Sequence, residues 1–125
     1  MEENDISFKI RGAIYKVFNH FGPGLLESVY VAALAAELRR DGLSVRKEVP
    51  IPVVFNEEKL EVGFRVDLLI QEKVLIEVKS IEAIAPVHHK QTLTYLKLTG
   101  LKLGILVNFN VENINDGIHR KVNNF

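Results

Sequence analysis

The sequence contains no cysteine, which excludes disulfide bonds and metal sites built on thiolates. It also lacks an excess of charge of either sign, because 16 basic and 16 acidic residues give a formal net charge of zero. A nucleic-acid partner would therefore have to bind at local basic patches. No apolar run approaches the roughly 18–20 residues that cross a membrane, and the acidic, polar segment MEENDISFK is unlike a signal peptide. These absences predict a cytoplasmic protein with no membrane partner.

The residues that are present fit one globular domain. The chain has 125 residues, of which 47% are hydrophobic and 26% are charged, as in ordinary globular proteins. A chain of this length buries about two thirds of the surface that it exposes when unfolded, which is enough for one core. We therefore predict a single domain over residues 1–125.

Three segments have the spacing of amphipathic helices. Apolar residues recur at helical intervals from Ile6 to Phe21, and the glycines and proline of HFGPG then interrupt the pattern. Pro23 suits the first turn of a second helix, which runs through LLESVYVAALAAELRR and is capped near Gly42. A third helix is predicted from Pro86, through PVHHKQTLTYLKLTG, to Gly100.

The other segments have patterns typical of strands. LSVRKEVPIPVVF is extended, and its two prolines favour an edge position or an irregularity in the strand. The turn NEEK leads into LEVGFRVDLLI and VLIEVKSI. LKLGILVNF is a strongly apolar strand, and the tail segment GIHRKVNNF is either a short edge strand or a final helical turn. A helix that joins two strands indicates a parallel pair. The predicted fold is therefore α/β, in the order α-α-β-β-β-α-β, with a mixed sheet flanked by helices.

The hairpin DLLIQEKVLIEVK contains charges among β-prone apolar residues. With a three-residue turn at Gln71–Lys73, antiparallel pairing places Ile70 opposite Val74 and Asp67 opposite Glu77. Directly opposed Cβ atoms lie about 4.5–5.5 Å apart. Two carboxylates are thus predicted to face each other inside the hairpin.

Strand alternation divides this hairpin into a charged face and an apolar face. The charged face would contain Arg65, Asp67, Glu77 and Lys79, and the apolar face Val66, Leu68, Ile76 and Val78. Opposed carboxylates destabilise a fold unless a positive charge lies between them. Either a divalent cation such as Mg²⁺ or Mn²⁺ binds there, or Arg65 and Lys79 form a cross-strand salt-bridge network. The hairpin alone favours the network, because charges on a strand usually mark a solvated face.

Two helices add polar side chains that could reach the hairpin. Glu27, early in the second helix, either complements the helix dipole or points inward above an apolar stripe. His88, Gln91 and Tyr95 align on the third helix and form either a polar shoulder or part of a site. His88 and His89 are adjacent and point about 100° apart on a helix, so they do not predict a metal pair.

The charged residues of the hairpin resemble a known signature. Asp67, followed on the next strand by Glu77-Val78-Lys79, is similar to the D…(D/E)xK motif of the PD-(D/E)XK nuclease superfamily. Glu27 resembles the first acidic motif of that superfamily, and QTLTY resembles the QxxxY motif of its exonuclease-like branch. GLLESVY, with Gly24, Glu27 and Tyr30, is similar to the motif of the GxxExxY family of small PD-(D/E)XK-like proteins. The resemblance covers nearly the whole chain.

This resemblance implies a restriction-endonuclease-like fold and a metal-dependent nuclease. It implies that Asp67, Glu77 and the backbone carbonyl of Val78 bind Mg²⁺ or Mn²⁺. Glu27 would contact the ion through water or hold a second one. Val66 stands where the superfamily's name has proline, and every catalytic-type position is filled. The metal interpretation of the hairpin is thereby favoured over the salt-bridge network.

Further roles are implied by the same resemblance. Lys79 would orient and polarise the attacking water, while Gln91 and Tyr95 would position the scissile phosphate or the nearby strand. Arg65 would contact phosphate or hold Asp67 in place. The expected substrate is nucleic acid, with DNA as the expected kind. Two alternatives remain: a non-catalytic module on the same fold that binds nucleic acid or protein, and a structural domain with a paired charge cluster.

Overall fold

A computed structural model of the chain describes all 125 residues apart from the side chains of residues 61 and 62. The residues described form three α-helices, one short 3₁₀ helix and five strands. The helices are α1 (Glu3–Phe21), α2 (Glu27–Arg40) and α3 (Pro86–Thr99), and the 3₁₀ helix covers Ile114–Gly117. The strands are β1 (Val45–Phe55), β2 (Glu58–Ile70), β3 (Val74–Lys79), β4 (Leu103–Asn108) and β5 (Ile118–Val122). None of the helices described is long and apolar enough to cross a membrane.

The strands form one mixed sheet in the order β1-β2-β3-β4-β5. β3 and β4 are parallel and are connected through α3, whereas the other neighbouring strands are antiparallel. This arrangement confirms the predicted α/β fold with a mixed sheet. The proline-containing strand β1 lies at one edge, as predicted. Of the two structures that the sequence left open for GIHRKVNNF, the segment forms the edge strand, β5, and the 3₁₀ helix precedes it.

Apolar clusters cover both faces of the sheet. The larger cluster joins α1 and α2 to residues such as Ile76 and Val78 of β3. The smaller one, called here the α3-side cluster, has the buried members Ile51, Val66, Leu75 and Leu96. Every residue of β3 except Lys79 is buried, and so is every residue of β4. The carboxyl end of β3 is thus the point where the centre of the sheet meets solvent.

Two helix boundaries differ from those that the sequence predicts. α1 begins at Glu3, earlier than predicted, and has acidic residues in its first turn, which complement the helix dipole. α2 begins at Glu27, so the prediction that Pro23 lies in its first turn was wrong. The reason is Gly24, whose φ of 101° belongs to the left-handed region and cannot continue a right-handed helix. Glu27 therefore sits at the first helical position, directly after a tight loop.

Candidate active site

The β2–β3 hairpin has the register that the sequence predicts over its first three pairs. Ile70 pairs with Val74 and Leu68 with Ile76, around the turn at Gln71–Lys73. Beyond these pairs the backbone ladder stops, so the strands part where Asp67 and Glu77 were expected to pair. The carboxylates therefore lie at a fork in the sheet instead of on a continuous ladder.

The two carboxylates replace the missing backbone hydrogen bonds at this fork. The backbone N–H of Val78 donates to Oδ2 of Asp67 at 2.7 Å. The backbone N–H of Asp67 donates to Oε1 of Glu77 at 3.1 Å. Each carboxylate is thus held by the opposite strand through one oxygen, and its second oxygen accepts no hydrogen bond from the described residues. Those second oxygens are free to take another ligand.

The regular alternation of side chains along β2 is interrupted at the fork. Val66 belongs to the α3-side cluster, whereas Leu68 belongs to the cluster under α1 and α2. Residues two apart on a regular strand share a face, so the prediction that these two point the same way was wrong. The break falls at Asp67, and Glu48, which lies across from it on β1, has a φ of 50°. A paired irregularity in β1 and β2 therefore accompanies the fork.

Electrostatics at the fork penalise the ionised carboxylates. Glu77 is only 6% exposed. Burial and then the negative charge of Asp67 raise the pKa of Glu77 to about 8, despite opposing contributions from the Asp67 N–H and Lys79. Burial also raises the pKa of Asp67 above its ordinary value, although the Val78 N–H and Lys79 lower it. The pair is a concentration of negative charge that a cation would stabilise.

No salt bridge compensates this pair within the part of the chain that the structure describes. The ion pairs found there are Lys9–Asp41, Lys16–Glu37 and Arg46–Glu72. The salt-bridge network considered for the hairpin is therefore absent among the described side chains. Arg65 is exposed, and no hydrogen bond links it to Asp67. Lys79 acts on the pair only as a nearby charge, which lowers the pKa of both carboxyl groups.

Of Gln91 and Tyr95, the two residues of α3 predicted to position the phosphate, Tyr95 is the one affected by the charges of the carboxylate pair. Burial and the charges of Glu77 and Asp67 raise the pKa of the Tyr95 hydroxyl, so its half-buried side chain lies within their electrostatic reach. Gln91 lies one helical turn earlier and is exposed, without a hydrogen bond to any described residue. The structure thus brings Tyr95 to the carboxylates and leaves the Gln91 amide facing solvent.

Glu27 approaches the same end of β3 from α2. Its Oε2 accepts a hydrogen bond from the backbone N–H of Ser80 at 3.1 Å, and the Ser80 hydroxyl donates to the Leu25 carbonyl at 2.6 Å. Its charge contributes to raising the pKa values of Asp67 and Glu77. Within the described residues, however, no three Asp, Glu or His side chains form a group able to hold a metal ion. Glu27 is thus a nearby charge that affects Asp67 and Glu77, and it does not form a three-carboxylate group with them.

The other residues of the GLLESVY segment fix the loop that positions Glu27. The Tyr30 hydroxyl donates to the Gly22 carbonyl at 2.6 Å and accepts from the Leu25 N–H at 3.2 Å. Its buried ring stacks on Phe109, with ring centroids 4.2 Å apart. Gly24 supplies the left-handed backbone that turns the chain into α2. These contacts connect the start of α2 to the carboxyl end of β4, beside the fork.

Sequence reasoning did not identify Asn108, which organises the loop after β3. Asn108 is 2% exposed, and its Oδ1 accepts from the N–H groups of Ile81 and Asn110, each at 3.1 Å. Its Nδ2 donates to the Ile81 carbonyl at 3.0 Å. Asn108 also pairs with Lys79 in the parallel ladder. The sequence feature that could have identified Asn108 is its polar amide near the end of the otherwise apolar run LKLGILVNF.

Replacing Asn108 by Ala should destabilise the protein by about 2–3 kcal/mol, because the half-buried Ile81 N–H loses its partner and the Ile81 carbonyl keeps only the longer bond from Asn110. Urea unfolding measures this change. Asn110→Ala is the matched control, since Asn110 is exposed and its amide makes only a 3.3 Å bond to Ile81. Equal stability of the two variants would show that Asn108 does not hold this loop.

The donor set at the fork fits a hard divalent cation. Mg²⁺ is usually bound through one or two carboxylates, with water and substrate phosphates completing the octahedron. Asp67 and Glu77 offer two such groups, each with an oxygen to spare. Their raised pKa values indicate that the fork disfavours two unneutralised charges. A two-carboxylate site of this kind does not require a third acidic ligand.

A comparison with families of known proteins agrees with the fold. A family model described as the PD-(D/E)XK nuclease superfamily matches residues 4–121. Neither a curated protein nor a solved structure gives a significant match. The family match covers the three helices and the sheet apart from the first residue of α1 and the last residue of β5.

Proposed function

The chain belongs to the PD-(D/E)XK nuclease superfamily, and on that basis we propose that it is a metal-dependent nuclease that hydrolyses phosphodiester bonds. Asp67 and Glu77 carry this proposal, because they form a desolvated carboxylate pair with no compensating salt bridge among the described residues. Superfamily members generally use divalent metals. We propose Mg²⁺ or Mn²⁺ as the cofactor and DNA as the substrate. The cytoplasmic location stays a prediction.

We propose that the ion is held by both carboxylates of the fork and by the carbonyl of Val78. Glu27, which already accepts the Ser80 N–H, would act through an intervening water or hold a second ion. When bound, such an ion activates a water molecule and neutralises the charge that develops on the phosphate. The fork residues supply the negative charge and fixed orientation that binding needs, since backbone amides hold both side chains.

The proposed roles of the other side chains concern water and phosphate. The Lys79 ammonium lies near both carboxylates and would orient the attacking water by donating to its oxygen. The Tyr95 hydroxyl would donate to a phosphate oxygen. Gln91, exposed one turn earlier on α3, would contact the strand beside the scissile bond. Arg65, which is exposed on β2, would contact phosphate groups away from the fork.

We also propose that the chain belongs to the GxxExxY group within this superfamily. Supporting this, Gly24, Glu27 and Tyr30 act together as one unit. Gly24 allows the turn, Tyr30 fastens it, and Glu27 is aimed at the end of β3. A purely incidental match would give no reason for all three residues to cooperate.

A non-catalytic binding module is the second candidate. The observation that favours it is the lack of a three-residue acidic group in the part of the chain described. This candidate predicts nucleic-acid or protein binding that does not depend on Mg²⁺. The nuclease predicts cleavage that requires the ion.

Lys79→Ala should reduce Mn²⁺-dependent cleavage about 100-fold, because loss of the group that orients an attacking water misplaces the nucleophile, and misplacement can cost about this factor. Labelled single- and double-stranded DNA and RNA are incubated with wild type and variant, with Mn²⁺ or with EDTA. Lys102→Ala is the control, since Lys102 is exposed and lies outside the fork. Equal cleavage by wild type and Lys79→Ala would contradict the mechanism and indicate a contaminating nuclease.

A further inference from the structure

A groove on the β1–β2 hairpin lies outside the carboxylate pair. Its volume is about 350 Å³, and it is lined on β1 by Ile51 and the neighbouring prolines. Gly63 lets the strands approach closely there, because a Cβ at this position would lie 2.6 Å from the Ile51 carbonyl oxygen. The resulting concave surface is open to solvent and has no assigned role in the proposed hydrolysis.

The chemistry of the groove walls suits a nucleic-acid strand. Lys59 and Arg65 line it, and the lining residues that the structure describes include no acid. The Phe64 ring also lines it and is 39% exposed. An exposed aromatic ring flanked by cations is the combination that binds unpaired bases and their phosphates. In a chain of zero net charge, these local cations are what could attract phosphate.

An aromatic pair links one wall of the groove to the candidate active site. The rings of Phe64 and Tyr95 have centroids 5.0 Å apart and are tilted by 50°. Tyr95 in turn lies within the electrostatic reach of Asp67 and Glu77. A strand whose phosphate reached the carboxylates could therefore continue over Tyr95 and Phe64 into the groove.

We propose that this groove binds the single-stranded segment of nucleic acid next to the scissile bond. One base stacks on Phe64, and the adjoining phosphates contact Arg65 and Lys59. A ring face of this kind stacks on an unpaired base without the cost of unstacking a duplex, so the groove favours single strands over duplexes. The inference rests on the proposed nuclease function and specifies its substrate.

Phe64→Ala should weaken binding of a labelled oligothymidine about 10-fold, which corresponds to the loss of one base–aromatic stack. Fluorescence anisotropy in EDTA measures the affinity without cleavage. Phe64→Leu should weaken it similarly, because leucine keeps apolar volume against Tyr95 but cannot stack. Phe55→Ala is the matched control, since Phe55 is 65% exposed on the same hairpin and does not line the groove.

The salt dependence of binding tests the phosphate contacts. Lys59→Gln and Arg65→Gln should each lower the slope of log affinity against log salt by about 0.7, the value for one contact with a single strand. Arg40→Gln removes an equal charge from the exposed end of α2 and should leave the slope unchanged. A merely structural role of Arg65 would not change this slope.

The possible results distinguish the proposal that the groove binds a single strand from the proposal that the protein is a nuclease. Unchanged oligothymidine affinity in Phe64→Ala and Arg65→Gln would overturn the groove assignment, as would wild-type affinity for duplex equal to that for single strand. Wild type that binds oligothymidine through Phe64 but cleaves nothing with Mn²⁺ would support the groove and contradict the nuclease. Cleavage lost in Asp67→Asn but normal in the groove variants would support the nuclease alone.

Discussion

Asp67→Asn should lower Mg²⁺-dependent cleavage by about 10³-fold or more while leaving the fold in place. Asparagine retains an oxygen that can accept the Val78 N–H, which now donates to Oδ2 of Asp67 at 2.7 Å. The substitution removes the negative charge, and with it an anionic ligand for a cation whose stabilisation of developing charge contributes several kcal/mol. The same variant should lose the stabilisation that Mg²⁺ gives, about 2.7 kcal/mol at one hundred times the dissociation constant.

Cleavage assays and melting curves with and without Mg²⁺ measure the two effects of Asp67→Asn together. Asp116→Asn, at an exposed carboxylate in the 3₁₀ helix, controls for the general loss of one acid. Retention of both cleavage and the metal-dependent shift would exclude Asp67 as a ligand. Wild type without any shift at millimolar metal would favour the non-catalytic binding module.

The register of the central hairpin could be predicted from the sequence because local features determine it. The three-residue turn at Gln71–Lys73 fixes which residues face each other, and the apolar alternation of the flanking strands agrees with it. The pairs Ile70–Val74 and Leu68–Ile76 confirm this prediction. Close approach of Asp67 and Glu77 follows from the same arithmetic, even though their backbones do not pair.

The fork itself could not be predicted, because period-two alternation assumes an uninterrupted ladder. The fork exists where the carboxylates of Asp67 and Glu77 accept backbone hydrogen bonds across the hairpin. At the same place Val66 and Leu68 join apolar clusters on opposite faces of the sheet, which regular alternation would not allow. Glu48 adopts a positive φ there, and a glutamate gives no sequence signal for that conformation.

Hydrogen bonds between residues that are far apart in the sequence also could not be predicted. The motif pattern predicted an inward role for Glu27, but its acceptor contact with Ser80 spans 53 residues. Asn108 contacts Ile81 across 27 residues. Helical and strand periodicity describe which face a residue occupies, whereas these contacts depend on how α2, β3 and β4 converge in the folded sheet.

Glu77→Gln should make the metal-free protein more stable than wild type at alkaline pH, by roughly 3–5 kcal/mol once Glu77 is fully ionised. The folded-state pKa of Glu77 is about 8, above its ordinary value of 4.5. A raised carboxyl pKa means that the folded protein binds this proton more tightly than the unfolded chain. The stabilisation is therefore complete below pH 4.5 and is lost as pH rises through about 8.

Glutamine cannot ionise but can still accept the Asp67 N–H that Glu77 accepts at 3.1 Å, so the variant should escape this loss. Urea unfolding in EDTA between pH 5 and about 9 measures both curves, and Glu82→Gln, at an exposed carboxylate in the loop after β3, is the control. Parallel curves for wild type and Glu77→Gln would mean that Glu77 is not held in a desolvated site. Mg²⁺ should restore stability to wild type most strongly at alkaline pH and little to the variant, because the cation binds the ionised pair.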